Sequence, residues 1–321
     1  MRILFALTAL ILLATFAPSG RNPSELLPAR TYVKFFPIPL DDEQPALSRI
    51  GQLDYLGGWK IRSNDPRFGG ISAMHVEDGR VLAVSDAGSL IRFPLLDVGS
   101  GPGRIDAIPD GPGAGGRKKD RDAEAMTVEG RRAWIGFERH NSLWRYDRRG
   151  WRATSRAVPR AMRKWRANAG SEGMARLAGG RFLVFSEGNK GERDTPLLLF
   201  AGDPAENGTE VLALRYRPPT GYRVTDAAAL PDGRIVMLNR RFSIFDGMTA
   251  KLTVAALPAS LREGMVLEGK EIADLRAPAA IDNMEALSVT RERGRTILWI
   301  ASDDNFSPLQ RTLLLKFALI D

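Results

Sequence analysis

Short, unbroken apolar runs recur along the chain, each opened by a Gly/Arg turn and closed by polar residues. VLAVSD follows Asp78-Gly79-Arg80, AWIGFE follows Gly130-Arg131, and FLVFSE follows Gly179-Gly180-Arg181. IVMLNR follows Asp232-Gly233-Arg234, and TILWIASDD follows Gly294-Arg295. A further apolar run often comes next, as in SLIRFPL, SLWRYD, PLLLFAG and TLLLKFAL. Runs of this length, rich in branched and aromatic residues and punctuated by glycine, predict buried strands rather than helices.

The runs belong to a repeat. Five motifs stand ahead of the turns: Gly69–Met74, Asp122–Met126, Gly170–Met174, Thr225–Leu230 and Asp282–Leu287. Anchored on Glu124, Glu172, Asp226 and Glu285, they are spaced by 48, 54 and 59 residues, with Ser72 or its neighbour as the first anchor. Units of this length suit four-stranded propeller blades. The expected fold class is therefore all-β, a β-propeller of about five or six four-stranded blades, with Leu47–Trp59 supplying or closing a blade. A β-sandwich explains short strands and turns but not an acid recurring at one place in each unit. Arg156–Asn168 is expected as a short basic helix or a loop over the mouth, and Gly99–Gly116 as a flexible connection.

At the N-terminus, Arg2 precedes an uncharged apolar run from Ile3 to Ala17, broken by Pro18-Ser19-Gly20. This predicts a leader helix at residues 1–20, either a cleaved signal peptide or a retained anchor. Residues 21–49 then form an N-terminal extension and 50–321 the propeller domain. The expected location is periplasmic or extracellular.

Zero cysteines among 321 residues remove disulfides, Cys–zinc sites and a thiol nucleophile. His75 and His140 are the two histidines, too few for a three-His zinc site, so a metal here needs oxygen ligands. The formal charge is +8, with basic residues concentrated at Arg117–Arg121 and Arg145–Arg166. Such surfaces favour anionic partners. Export and the lack of a recognition motif exclude nucleic acid, and a monomer is expected. Membrane-surface association would run through the leader or segment 145–166.

The recurring acids are the candidate chemistry. One acid opens each unit, and a second polar cluster ends the following strand: Asp86, Glu138–Asn141, Glu187–Asn189, Asn239–Arg241 and Asp303–Asn305. In a propeller, equivalent positions form rings around the channel. Carboxylate and amide oxygens from Glu124, Glu172, Glu285, Asp303, Asp304 and Asn305 suit Ca²⁺ or Mg²⁺. Arg139, Arg240 and Arg241 can grip a phosphate or carboxylate in bidentate fashion. Glu172, Glu124, Glu285 and His140 form the candidate catalytic set, His140 as general acid. Buried blade-tying acids would give the same pattern without chemistry. No Gly-x-Ser-x-Gly, Gly-x4-Gly-Lys-Ser/Thr or His-Glu-x-x-His motif is present, and no organic cofactor is indicated.

RFGGISAM with VLAVSDAGSLIRFPL, DAEAMT with FERHNSLWRYD, NAGSEGMARLAGGRFLVFSEG, and DNMEALSV with IASDDNFSPLQRTLLLKFAL together resemble the bacterial phytase-like family described as esterase-like activity of phytase. The resemblance spans about residues 50–321 and implies an exported propeller. The family shows Glu-Gly-Leu or Glu-Gly-Met where this chain has Glu124-Ala125-Met126 and Glu285-Ala286-Leu287, while Glu172-Gly173-Met174 keeps the glycine. Asp226-Ala227-Ala228 lacks the Glu, which implies that its unit contributes no ligand. The expectation is a phytase-like or esterase-like hydrolase of a phosphoester or other anionic ester, with a divalent metal at the channel mouth. The alternative is a non-catalytic propeller that binds an anionic ligand or an envelope protein.

Overall fold

The computed structural model describes residues 27–113, 120–189 and 191–320. The expected leader at 1–20 and the Arg117-Lys118-Lys119 part of the first basic cluster lie outside them. The chain is all-β, and the helical elements among the described residues are 3-10 turns such as Arg160–Met162. No helix among them is long and apolar enough to cross a membrane.

The strands form five sheets. The first runs outward through Ile71–Glu77, Arg80–Ser85, Ser89–Pro94 and Arg104–Ala107, and the second through Ala123–Glu129, Arg132–Phe137, Ser142–Asp147 and Arg152–Ala157. The third contains Ser171–Arg176, Phe182–Ser186, Thr195–Phe200 and Val211–Arg217, edged by Val266–Glu268 in parallel. The fourth contains Arg223–Ala229, Ile235–Ser243, Gly247–Ala255 and Lys270–Arg276. In the fifth, Met284–Glu292, Arg295–Ser302 and Leu313–Leu319 are completed by Leu53–Ser63 from the N-terminal side.

The first strands of successive sheets pack on one another in a closed cycle, with Met284–Glu292 returning to Ile71–Glu77. This is a β-propeller. Its core is divided between the sheets. Trp59, Phe93 and Trp299 fill the seam between the fifth and first, and Ile135, Phe137 and Tyr146 the seam between the first and second. The second strands are unbroken apolar runs because both of their faces meet a neighbouring sheet, as in Phe182–Ser186, which is buried throughout.

Closure comes from the Leu47–Trp59 region, whose strand Leu53–Ser63 pairs antiparallel with Leu313–Leu319. Tyr32–Pro37, from the N-terminal extension, adds to its other edge. The expected flexible connection at Gly99–Gly116 is instead partly strand. Gly99–Pro102 pairs with Tyr32–Pro37, and Arg104–Ala107 completes the first sheet. Gly101 lies against Leu96 and Pro94, where a Cβ would stand 2.9 Å from Leu96 Cδ1. The expected basic helix or loop at 156–168 has a single 3-10 turn that buries Met162, and the Asn141 amide donates to the Trp165 carbonyl at 2.9 Å. That bond pins the segment beside the turn at Glu138–Asn141.

Candidate functional site

Each first strand carries a β-bulge at the same end. The register shifts fall between Ile71 and Ala73, Ala123 and Ala125, Ser171 and Gly173, Val224 and Asp226, and Met284 and Ala286. The extra residues are therefore Ser72, Glu124, Glu172, Thr225 and Glu285. A bulge re-aims its extra side chain and ends regular pairing, so five equivalent side chains are set at one mouth of the channel. This corrects the anchor expected in the fourth unit: the equivalent of Glu172 is Thr225, and Asp226 is one residue further on.

A second set of equivalent positions lies at the mouth end of each second strand: Asp86, Glu138, Glu187 and Asp303 directly after it, and Arg240 within the longer strand Ile235–Ser243. Backbone bonds confirm the equivalence in three sheets. The Asp86, Glu138 and Asp303 amides donate to the Gly70, Asp122 and Asn283 carbonyls at 3.0, 2.9 and 2.9 Å. The two rings thus bring seven carboxylates and one guanidinium to one mouth.

Their electrostatics show the convergence. Burial first, then Glu172, Asp122, Asp86 and Glu138, push Glu124 well above the ordinary carboxylate range. Glu172 is raised by burial and by Glu138, Glu187 and Glu285, against the opposing pull of Arg240. Burial raises Glu285 to about 7, although Arg240 draws it down. Glu138 also reaches about 7, through burial and Asp122 and against Arg139. Asp303 is raised by burial and by Asp86. Arg240 Nε stands 3.0 Å from Glu285 Oε1, and Glu285, Glu187, Glu172 and Asp303 outweigh its burial to strengthen its hold on the proton.

The tightest group is Asp122, Glu124 and Glu138, each offering a carboxylate oxygen within 4.8 Å of the others. Like charges this close cannot all remain ionised without a compensating cation. An all-oxygen set matches hard divalent cations such as Ca²⁺ or Mg²⁺. Arg139 borders the group, its Nε donating to Asp122 Oδ2 at 2.7 Å.

The remaining sequence-selected residues are placed differently. Asp304 is engaged by the fold: Oδ1 accepts from the Gly70 and Phe306 amides at 3.0 Å each, and Oδ2 from the Thr312 hydroxyl at 2.8 Å. Asn305 is exposed and donates to Gln310. Arg241 pairs with Asp246 at 2.6 Å and lies over the Tyr222 ring, outside the rings just described. His140 is exposed on the turn beyond Glu138. Asp122 was missed as a site residue, although its place two residues before Glu124 in DAEAM was the available signal.

The family model for phytase-like proteins, described as esterase-like activity of phytase, matches residues 66–306. No curated protein matches the chain. Among solved structures, the Malassezia sympodialis allergen Mala s 1 is similar at 13% identity and TM-score 0.44, covering 84% of this chain and 91% of its own. Myxococcus xanthus glutaminyl cyclase is similar at 10% identity and TM-score 0.42, covering 79% and 92%. The β-propeller domain of Cps50 (Swd1) from Myceliophteria thermophila is similar at 10% identity and TM-score 0.41, covering 89% and 99%.

Proposed function

Because this chain belongs to the phytase-like family, we propose that it is an extracytoplasmic hydrolase of a phosphoester or other anionic ester, working at the acid-lined mouth of a five-bladed propeller. Each of the five sheets counts as one blade. Export is supported by the Arg2-led apolar run.

The observation that carries the reading is the Asp122, Glu124 and Glu138 group with Glu172 and Asp86 close enough to raise Glu124 further. These residues would hold a divalent cation, which when bound supplies Lewis-acid polarisation of the ester oxygen. Arg240, the one cation in the two rings, is the partner for the substrate's anionic oxygens. It is held in place by the carboxylate of Glu285. Glu285, which lies outside this group, sits near 7 through burial, the range in which a carboxyl can take or give a proton at neutral pH. Exposed His140 stands on the turn beyond Glu138, where it can meet a leaving group.

The test is release of phosphate or alcohol from a panel of phosphoesters and carboxylic esters, with and without chelator. Turnover abolished by chelation and restored by Ca²⁺ or Mg²⁺ is expected. Full activity after exhaustive metal removal would overturn the reading. Metal binding with no turnover on the panel would favour the non-catalytic binding propeller.

A further inference from the structure

The end of the propeller that carries the acidic mouth also carries exposed apolar tips. Strand Ile235–Ser243 passes Arg240 of the second ring and turns back only at Ser243–Gly247. At about 3.3 Å per residue, the turn stands roughly 10–15 Å beyond the ring. Of the three residues in this loop, Ile244 and Phe245 are 68% and 98% exposed, and Asp246 accepts from Arg241. Nothing in the hairpin's hydrogen bonding requires a phenyl ring there.

Two other sheets add to the same end. Leu309, 60% exposed, lies in the connection that begins at Asp303 of the second ring. Val158, 49% exposed, directly follows Ala157, whose strand partner Leu143 adjoins the mouth-side turn at Glu138–Asn141. One stretch of this rim is basic: Arg160, Arg163, Lys164 and Arg166 are all exposed on the segment that follows Val158, pinned by the Asn141–Trp165 bond. The ring acids are recessed in the channel, whereas these cations and apolar tips are exposed, and the acid at the fourth-sheet tip, Asp246, is paired with Arg241.

Apolar tips projecting from a basic rim are the features by which a peripheral protein settles on an anionic bilayer. We infer that this face docks on an anionic membrane surface, with Ile244 and Phe245 entering the headgroup–acyl boundary and the 160–166 segment meeting anionic headgroups. A lipid bilayer fits better than a protein partner, because the tips come from separate sheets and form no continuous apolar patch. The inference is independent of whether the mouth hydrolyses anything.

The chain has no cysteine, so one introduced thiol gives one label. The full-length protein would carry an environment-sensitive nitrobenzoxadiazole dye at Phe245→Cys or at Val98→Cys, which lies at the opposite end of the first sheet and is 69% exposed. With vesicles of phosphatidylglycerol and phosphatidylcholine, the emission at 245 should shift to the blue and brighten while that at 98 stays unchanged. Vesicles of phosphatidylcholine alone should give a much weaker change. The pair Ile244→Ser with Phe245→Ser, and separately Arg163→Gln with Lys164→Gln, should each lower vesicle partitioning roughly tenfold. These positions are exposed, so the variants should retain the parent melting temperature. Equal responses at 245 and 98, no response at 245, or partitioning untouched by both pairs would overturn the inference, even if the leader alone holds the chain on vesicles.

Discussion

Asp226 Oδ2 accepts the backbone N–H of Leu287 at 2.7 Å, joining the first strands of the fourth and fifth sheets through a side chain that is 1% exposed. Its other oxygen accepts the Ala227 amide at 2.7 Å. The neighbouring bulge residue, Thr225, also crosses this seam, donating to the Met284 carbonyl at 3.0 Å. In the other sheets the residue after the bulge is Ala73, Ala125, Gly173 or Ala286, small enough for backbones to approach. A Cβ on Gly173 would come within 2.9 Å of the Ala227 nitrogen. The fourth sheet therefore uses its acid to hold the ring together and leaves the channel to Arg240.

Asp226→Ala should destabilise the fold by about 2–4 kcal/mol, because it strands two buried amides without an acceptor. Asp226→Asn keeps one acceptor oxygen and should lose less. Denaturant unfolding of the two variants checks the ordering, and equal stability of Asp226→Ala and the parent would refute the clasp.

Much of this arrangement was legible in the sequence. The turn–run–turn rhythm and the recurring acids located the repeats, and the family motifs pointed to a propeller. The error at Asp226 has a simple origin. Motif alignment counts residues, whereas a bulge changes which residue faces the channel, and Thr225-Asp226 offers the acid one place late. Asp304 is a related case. It follows Asp303 in an acidic pair, yet backbone geometry turns it toward Gly70 and Thr312. Glu138 and Glu187 were visible as strand-ending polar residues, but their approach to Glu172 depends on how adjacent sheets pack.

Asp304 and the carboxylates of the metal group should separate cleanly. Asp304→Ala removes the acceptor of two amides and a hydroxyl and should cost about 2–4 kcal/mol of stability. Divalent-cation affinity of the folded protein should stay unchanged. Glu124→Gln and Glu138→Gln should do the reverse, lowering Ca²⁺ or Mg²⁺ affinity tenfold or more in calorimetric titrations. Undiminished affinity in both Gln variants would remove the metal group.

The metal-free protein should lose stability as pH rises. Glu138 and Glu285 titrate near 7 in the fold against an ordinary value of 4.5, each chiefly through burial. The folded state thus binds more protons than the unfolded chain across this interval, and stability falls with pH. The contribution is fully present below about 4.5 and lost as pH passes 7. Melting temperatures in chelator should therefore decline between about pH 5 and 8, and saturating Ca²⁺ or Mg²⁺ should flatten the decline. A rise over that range in chelator would contradict the buried-acid assignment.

Arg240 and Arg241 are adjacent in sequence and opposite in expected effect. Arg240 lies among Glu285, Glu187, Glu172 and Asp303, whereas Arg241 is committed to Asp246 and Tyr222. If Arg240 receives the substrate's anionic oxygens, Arg240→Met should raise KM for a phosphoester and cut kcat/KM by about a hundredfold, in line with the loss of a charge-assisted bidentate contact. Arg240→Lys should recover only part of this, because an ammonium cannot reproduce the planar fork. Removing Arg240 also removes the charge that draws Glu285 and Glu172 down, so the pH profile of kcat should move to higher pH. A purely structural Arg240 would change stability without that displacement. Arg241→Met should leave both KM and the profile where they were. Equal kinetic losses in the two Met variants would show that the channel cation does not recognise the substrate.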